Sequence, residues 1–218
     1  QTKALVENQR GLLAYLLGLT LVRLDCEQER RPDRRAGLYM VAARYFEEAS
    51  LQGVPPEYQP AVDYWNGRSL MLAQQASLAR GPLESALESN PQHRREILFW
   101  LGEAYLQDTK LSKVKGLRYM DQLLATPDLT TAERYRALGQ KAQMLLFDDQ
   151  LEAATQIWQS LPNDANSKLE LQLAIGRYYL KLANSKQQQR ADPQEVQQAF
   201  ESAVAALTVS DSKLLIDE

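Results

Sequence analysis

The sequence predicts an all-α fold, a solenoid of about five antiparallel helix hairpins. Gly67, Gly102, Gly139 and Gly176 lie inside amphipathic segments and are separated by 35, 37 and 37 residues. A repeat of about 20 to 50 residues is typical of solenoids, whose units bury their apolar faces only by stacking on their neighbours. Strand signals are nearly absent, because no stretch shows sustained alternation of β-branched residues and no Asn-Gly or Asp-Gly turn joins two apolar runs.

Helical periodicity divides the chain into five pairs of amphipathic helices. In the third pair, Leu98, Leu101, Gly102 and Tyr105 recur at the i, i+3, i+4, i+7 spacing that places them on one face. Prolines and capping residues mark the breaks, since proline removes a backbone donor and Asn, Asp and Thr side chains satisfy free backbone amides. The expected pairs are 3–29 with 34–50, 57–77 with 79–89, 93–108 with 111–125, 131–147 with 150–161, and 167–184 with 193–207.

These pairs are expected to form a single repeat domain over residues 1–207. Its hairpins span about 3–50, 57–89, 93–125, 131–161 and 167–207. The polar stretch at 184–193 reads as a mobile loop inside the last hairpin. Residues 208–218 are a tail or the start of a further repeat.

Composition excludes several classes of function. A net charge of −3 and a pI of about 5.4 argue against a general nucleic-acid binder, which needs a large positive excess. The apolar run 11–22 is shorter than the ~20 residues of a membrane-spanning helix. The single cysteine, Cys26, has no partner for an internal disulfide and reads as a packing residue.

The chain lacks the residue patterns that enzymes and metal sites use. Its only histidine, His93, follows Pro91 at an expected helix start and reads as structural. HExxH, CxxC, GxSxG and glycine-rich phosphate loops are all missing, and zinc sites draw mainly on His and Cys. We therefore expect a non-enzyme without metal or cofactor.

Three segments resemble the tetratricopeptide repeat (TPR) family, whose units carry a leucine-glycine-tyrosine pattern on the first helix and an alanine and an aromatic residue on the second. The matching stretches are LFWLGEAYL (98–106) with Pro127, YRALGQKA (135–142) with LEAATQIWQSLP (151–162), and LAIGRYYL (173–180) with EVQQAFESAVAAL (195–207). The resemblance implies a right-handed superhelix whose first helices line a concave face. In the second hairpin, the match to the family pattern can be counted either from Gly67 or from Ser69.

The resemblance also implies a partner-binding surface on the concave face. Its residues flank the packing stripe of the first helices; they are Tyr15, Tyr64, Arg68, Phe99, Glu103, Arg136, Gln140, Arg177 and Lys181, together with Leu19, Leu106, Gln143, Leu173 and Leu180. The three arginines of this surface outnumber its one glutamate, Glu103. This balance favours a peptide with apolar anchors and acidic side chains. In the alternative interpretation, the tyrosines and Phe99 fill the interior of a tightly wound superhelix.

The sequence thus predicts a non-catalytic scaffold that binds a peptide or partner segment in a concave groove. Structural self-association, including a homodimer, is a second interpretation, and an envelope-assembly module or a small-molecule sensor is a third. The expected setting is a module of a larger, bacterial protein, in the cytoplasm or the envelope according to the sequence that precedes Gln1.

Overall fold

The computed structural model describes residues 2–108, 112–163 and 166–214, with only the backbone described for 2–8 and 209–214. Every regular element in these ranges is helical, and no strand occurs among them. The α-helices are α1 (Thr2–Leu21), α2 (Pro32–Gln52), α3 (Gln59–Leu72), α4 (Ala76–Ser89), α5 (Arg94–Gln107), α6 (Val114–Leu124), α7 (Thr131–Phe147), α8 (Leu151–Ser160), α9 (Asn166–Gln188) and α10 (Pro193–Leu214). A π-helical turn, Val22–Cys26, continues α1, and a 3₁₀ turn, Pro91–His93, precedes α5. The predicted all-α class is confirmed.

The helices form two compact units, one over residues 1–111 and the other over residues 112–218. In the first unit, α1 packs on α2, α2 on α3, and α3 on α4, while α5 contacts both α3 and α4. In the second unit, α6 packs on α7, α7 contacts α8 and α9, and α9 pairs with α10. The boundary falls inside the expected hairpin 93–125, so the pairing of its two helices stays a prediction.

Three helix ends differ from the sequence expectation. Helix α3 ends at Leu72, five residues early, because Gln74 adopts a left-handed φ of 61° that a helix cannot continue. Helix α9 continues to Gln188, so the expected mobile loop at 184–193 is wrong over its first half; the stretch holds Lys and Gln, which favour helices, and Arg190 then ends the helical path with a φ of 55°. Helix α10 runs to Leu214, seven residues past its expected end, and residues 215–218 of the expected tail lie outside the described residues.

Glycines on the first helix of a pair admit a large side chain from the second helix. A Cβ placed on Gly67 would lie 2.5 Å from Cγ of Leu83 in α4. A Cβ on Gly176 would lie 2.7 Å from Cγ of Leu207 in α10. Glycine inside a helix costs ~0.5–1 kcal/mol relative to alanine, and close helix contact is the packing reason that its recurrence requires.

The core of the first unit includes the C-terminal half of α1 and the turn that continues it. Gly18 faces the ring of the fully buried Phe46, and Val22 and Cys26 are also fully buried there. Burial, together with the neighbouring Asp25 carboxylate, raises the pKa of the Cys26 thiol to about 11. Cys26 therefore packs as a protonated, apolar side chain.

Within the described ranges, no helix is long and apolar enough to cross a membrane.

Candidate partner-binding groove

Both tyrosines predicted to bind a partner lie in the core of the first unit. Tyr15 is 7% exposed, and its ring lies 6.1 Å from that of Phe46 and 6.0 Å from that of Tyr58. Tyr64 is 2% exposed and stacks on His93 with 4.2 Å between ring centroids. Burial raises the pKa of both tyrosine hydroxyls. Because both side chains are buried within their own unit, they offer little surface to a partner.

Arg68, on α3, is engaged by carboxylates of its own unit. Its Nε lies 3.4 Å from Oε1 of Glu96, and one of its terminal nitrogens lies 4.0 Å from Oε1 of Glu27. The guanidinium also lies over the ring of Trp65, 4.9 Å from the centroid. With two acidic neighbours, Arg68 adds little to an attraction for an acidic partner.

Glu96 is the centre of a polar network between α3 and α5. It accepts a hydrogen bond from Nε1 of Trp100 at 3.2 Å and from the hydroxyl of Tyr64, and that bond adds to the burial that raises the Tyr64 pKa. Nδ1 of His93 lies 4.0 Å from the same carboxylate. The lone histidine therefore belongs to a structural network, as the sequence indicated.

The remaining predicted residues divide between the two units. Phe99 and Glu103 are half-buried on α5, where the ring of Phe99 lies edge-on to Trp100 and Glu103 accepts a hydrogen bond from Gln107 at 2.9 Å. Arg136 is exposed on α7, and Gln140, one turn further, is 5% exposed. Because the side chain of Gln140 is enclosed, it offers little surface to a partner.

Arg177 and Lys181 are brought together at a groove between α7 and α9. The groove has a volume of about 230 Å³ and is lined by Gln143, Leu146, Phe147, Ala174, Arg177, Tyr178 and Lys181. We call it the α7–α9 groove. Gln143 also belongs to the residues carried over from the resemblance. Leu146, Phe147 and Tyr178 were missed, although Phe147 follows Gln143 by four residues, the spacing that places both on one helix face.

The rim of the α7–α9 groove is cationic. Arg177 and Lys181 stand four residues apart on the same face of α9, and both are exposed. In the described ranges, no carboxylate lies within 4 Å of either cation. Beneath Phe147, the nearly fully buried Lys113 places its Nζ over the ring, 4.7 Å from the centroid.

The floor of the groove is apolar, with one polar corner. Leu146 is buried, and Phe147 keeps 47% of its surface exposed. At the corner, the Tyr178 hydroxyl is hydrogen-bonded to Asp149, and burial together with that carboxylate raises its pKa. Tyr178 therefore keeps its proton and donates it to the Asp149 carboxylate. The arrangement can hold an apolar side chain and an anion beside it.

Two further cavities lie in the second unit. One, of about 730 Å³, runs along α9 and α10 past Val196, Phe200 and Val204, and Glu201 is the charged side chain among the described residues that line it. The other, of about 250 Å³, lies beneath Trp158 and beside Gln172 and Tyr179. Neither includes a residue of the predicted surface. No group of three or more metal-ligating side chains occurs in the described part of the chain.

Comparisons with known proteins do not indicate a function for this chain. No protein-family model, no curated protein and no solved structure matches it.

Proposed function

We propose that the protein is a non-catalytic interaction scaffold, a TPR-like right-handed superhelix that binds a peptide segment of a partner protein in the α7–α9 groove. The helix contacts within each unit support a stack of hairpins, because the first helices of successive hairpins are in contact: α3 with α5, and α7 with α9. The glycine contacts at Gly67 and Gly176 are further support, because close pairing inside each hairpin is what a stack of hairpins needs.

The observation that carries the proposal is the position of Arg177 and Lys181. Both were assigned to a binding surface from the sequence, and both lie on the rim of an apolar-floored groove. The groove is smaller than typical small-molecule sites of ~300–1,000 Å³. A single apolar side chain of a peptide fits this volume better than a metabolite does.

The groove favours a peptide whose apolar side chain is next to a carboxylate. The apolar side chain would pack on Leu146 and Phe147, where it loses contact with water. The carboxylate would pair with Arg177, whose planar guanidinium can donate two parallel hydrogen bonds, and with the ammonium of Lys181. Because the groove is built on two helices, the partner carries most of the ordering cost of binding.

A charge reversal tests this proposal. Random peptides displayed against the purified chain should enrich sequences that pair an apolar residue with Asp, Glu or a free C-terminus. We expect the double variant Arg177→Glu/Lys181→Glu to bind the selected peptides at least tenfold more weakly, since both groups that pair with the carboxylate become repulsive. The affinities are measured by fluorescence anisotropy at two salt concentrations.

Arg118→Glu provides the matched control, because Arg118 is an exposed arginine on α6 outside the groove lining. It should leave the affinity and its salt dependence unchanged. Equal binding by the wild type and the double variant would reject the α7–α9 groove as the binding site.

Self-association is the second candidate function, and one observation favours it. Helix α1 and the turn that continues it expose Leu13, Leu16, Leu17 and Leu24, each with 45% or more of its surface accessible.

A further inference from the structure

Helix α1, with the π-helical turn that continues it, is apolar on two opposite faces. Its inner face carries Ala14, Tyr15 and Val22 into the core of the first unit. Its outer face exposes 58% of Leu13, 45% of Leu17 and 66% of Leu24. Apolar side chains that are grouped on an exposed helix face indicate an interaction surface.

The spacing of the outer residues is that of a coiled-coil seam. Leu13, Leu17, Thr20 and Leu24 are separated by four, three and four residues, the heptad spacing of a helix that packs against another helix. Thr20 does not interrupt this seam, because its hydroxyl already donates to the carbonyl oxygen of Leu16 at 2.8 Å. We call these four residues the α1 seam.

The ends of the seam carry opposite charges. Arg10 precedes Leu13 by three residues, Glu27 follows Leu24 by three residues, and both are exposed. Glu27 lies 4.0 Å from Arg68 yet keeps 43% of its side chain accessible. It can therefore accept a second cation.

We propose that two copies of this chain associate through the α1 seam, with the two helices antiparallel. In this register, Leu13 of each copy packs against Leu24 of the other, and Leu17 packs against Thr20. The same register places Arg10 opposite Glu27 at both ends of the pair. A two-fold interface needs this kind of self-complementary surface. A parallel pairing would instead place like charges together, arginine against arginine and glutamate against glutamate, which is unfavourable.

The first experiment measures the mass of the full chain in solution by sedimentation velocity, from micromolar to several hundred micromolar. We expect a dimer for the wild type and a monomer for Leu13→Glu, because a carboxylate in the seam would be buried without a partner. Leu78→Glu is the matched control: Leu78 lies on α4 and has the same 58% exposure as Leu13. This variant should remain a dimer. Circular dichroism confirms that each variant keeps its helix content.

The second experiment determines whether the two α1 helices of the dimer are parallel or antiparallel. Leu13→Cys and Leu24→Cys are prepared as separate proteins, and the native Cys26 is left in place because it is fully buried. After mixing and mild oxidation, the antiparallel register joins the introduced thiol of the first variant to the introduced thiol of the second. Peptide mapping identifies this mixed disulfide.

Three outcomes would overturn the proposal: a wild-type monomer at every concentration, a Leu13→Glu variant that stays dimeric, or disulfides that join only like variants. A wild type that stays monomeric but binds phospholipid vesicles would assign the seam to a membrane surface, and the proposal would fail. The α7–α9 groove takes no part in these measurements, so their result does not bear on the proposed peptide binding.

Discussion

At the scale of single residues, two helical glycines of the first unit have opposite surroundings. Gly67 on α3 faces Leu83, and an added Cβ would also lie 3.1 Å from the backbone nitrogen of that leucine. Gly37 on α2 has no atom within 4 Å of the position where a Cβ would be. The same substitution should therefore have opposite effects at the two positions.

We expect Gly67→Ala to lower the free energy of unfolding and Gly37→Ala to raise it. Overpacking costs ~1–3 kcal/mol, which exceeds the ~1 kcal/mol that alanine contributes to a helix interior. At Gly37, only the helix-propensity gain applies. Urea denaturation midpoints measure both. A Gly67→Ala variant as stable as Gly37→Ala would contradict close packing at α3 and α4.

At the scale of elements, α7 begins with a capping box. The Thr130 hydroxyl accepts a hydrogen bond from the backbone amide of Glu133 at 3.2 Å, and the Glu133 carboxylate accepts one from the amide of Thr130 at 2.8 Å. Each bond satisfies a backbone donor that the first helical turn leaves without a partner. The cap thus holds the start of the helix that supplies Leu146 and Phe147 to the α7–α9 groove.

Thr130→Ala should destabilise the second unit by ~1 kcal/mol, the usual cost of losing an N-cap oxygen. Thr131→Ala, one residue later and also exposed, keeps the cap and serves as the control. Urea denaturation measures the stability, and hydrogen exchange of the amides in the first turn of α7 locates the change. Equal loss in the two variants would show that the cap contributes nothing specific.

At the scale of the whole molecule, each unit has an apolar core of its own. The cluster around Phe46 and Val62 belongs to residues 1–111, and the cluster around Leu171 and Ile175 belongs to residues 112–218. In a repeat protein, stability is roughly a sum over units and their neighbours, so a piece that contains whole cores can fold.

We expect the fragments 1–111 and 112–218, produced separately, to be helical and to melt cooperatively. The control is fragment 1–52, which lacks α3 and therefore Val54, Val62 and Ala73 of the core cluster of the first unit. It should melt without cooperativity. Circular dichroism and differential scanning calorimetry measure these transitions. If the 1–111 fragment behaved like 1–52, the core of the first unit would not be sufficient for folding.

The amino-acid sequence by itself determined the features that depend on near neighbours along the chain. Proline, capping residues and helical periodicity act within a turn or two, so α7 was predicted with the bounds that it has. The role of Gly67 and Gly176 in close packing was also predictable, since glycine has no other advantage inside a helix. Arg177 and Lys181 were assigned to a binding surface through the resemblance to tetratricopeptide repeats, and their i, i+4 spacing places them on one face of α9.

Only the tertiary structure decided which predicted side chains are accessible. Tyr64 is covered by His93, Tyr15 by Phe46 and Tyr58, and Arg68 meets Glu27 and Glu96, all of them residues distant in sequence. The groove floor at Phe147 and the exposed seam of α1 also depend on how neighbouring helices pack. Periodicity places a side chain on a face of its helix. Whether that face is buried depends on which other helix packs against it, and that packing joins residues far apart in the sequence.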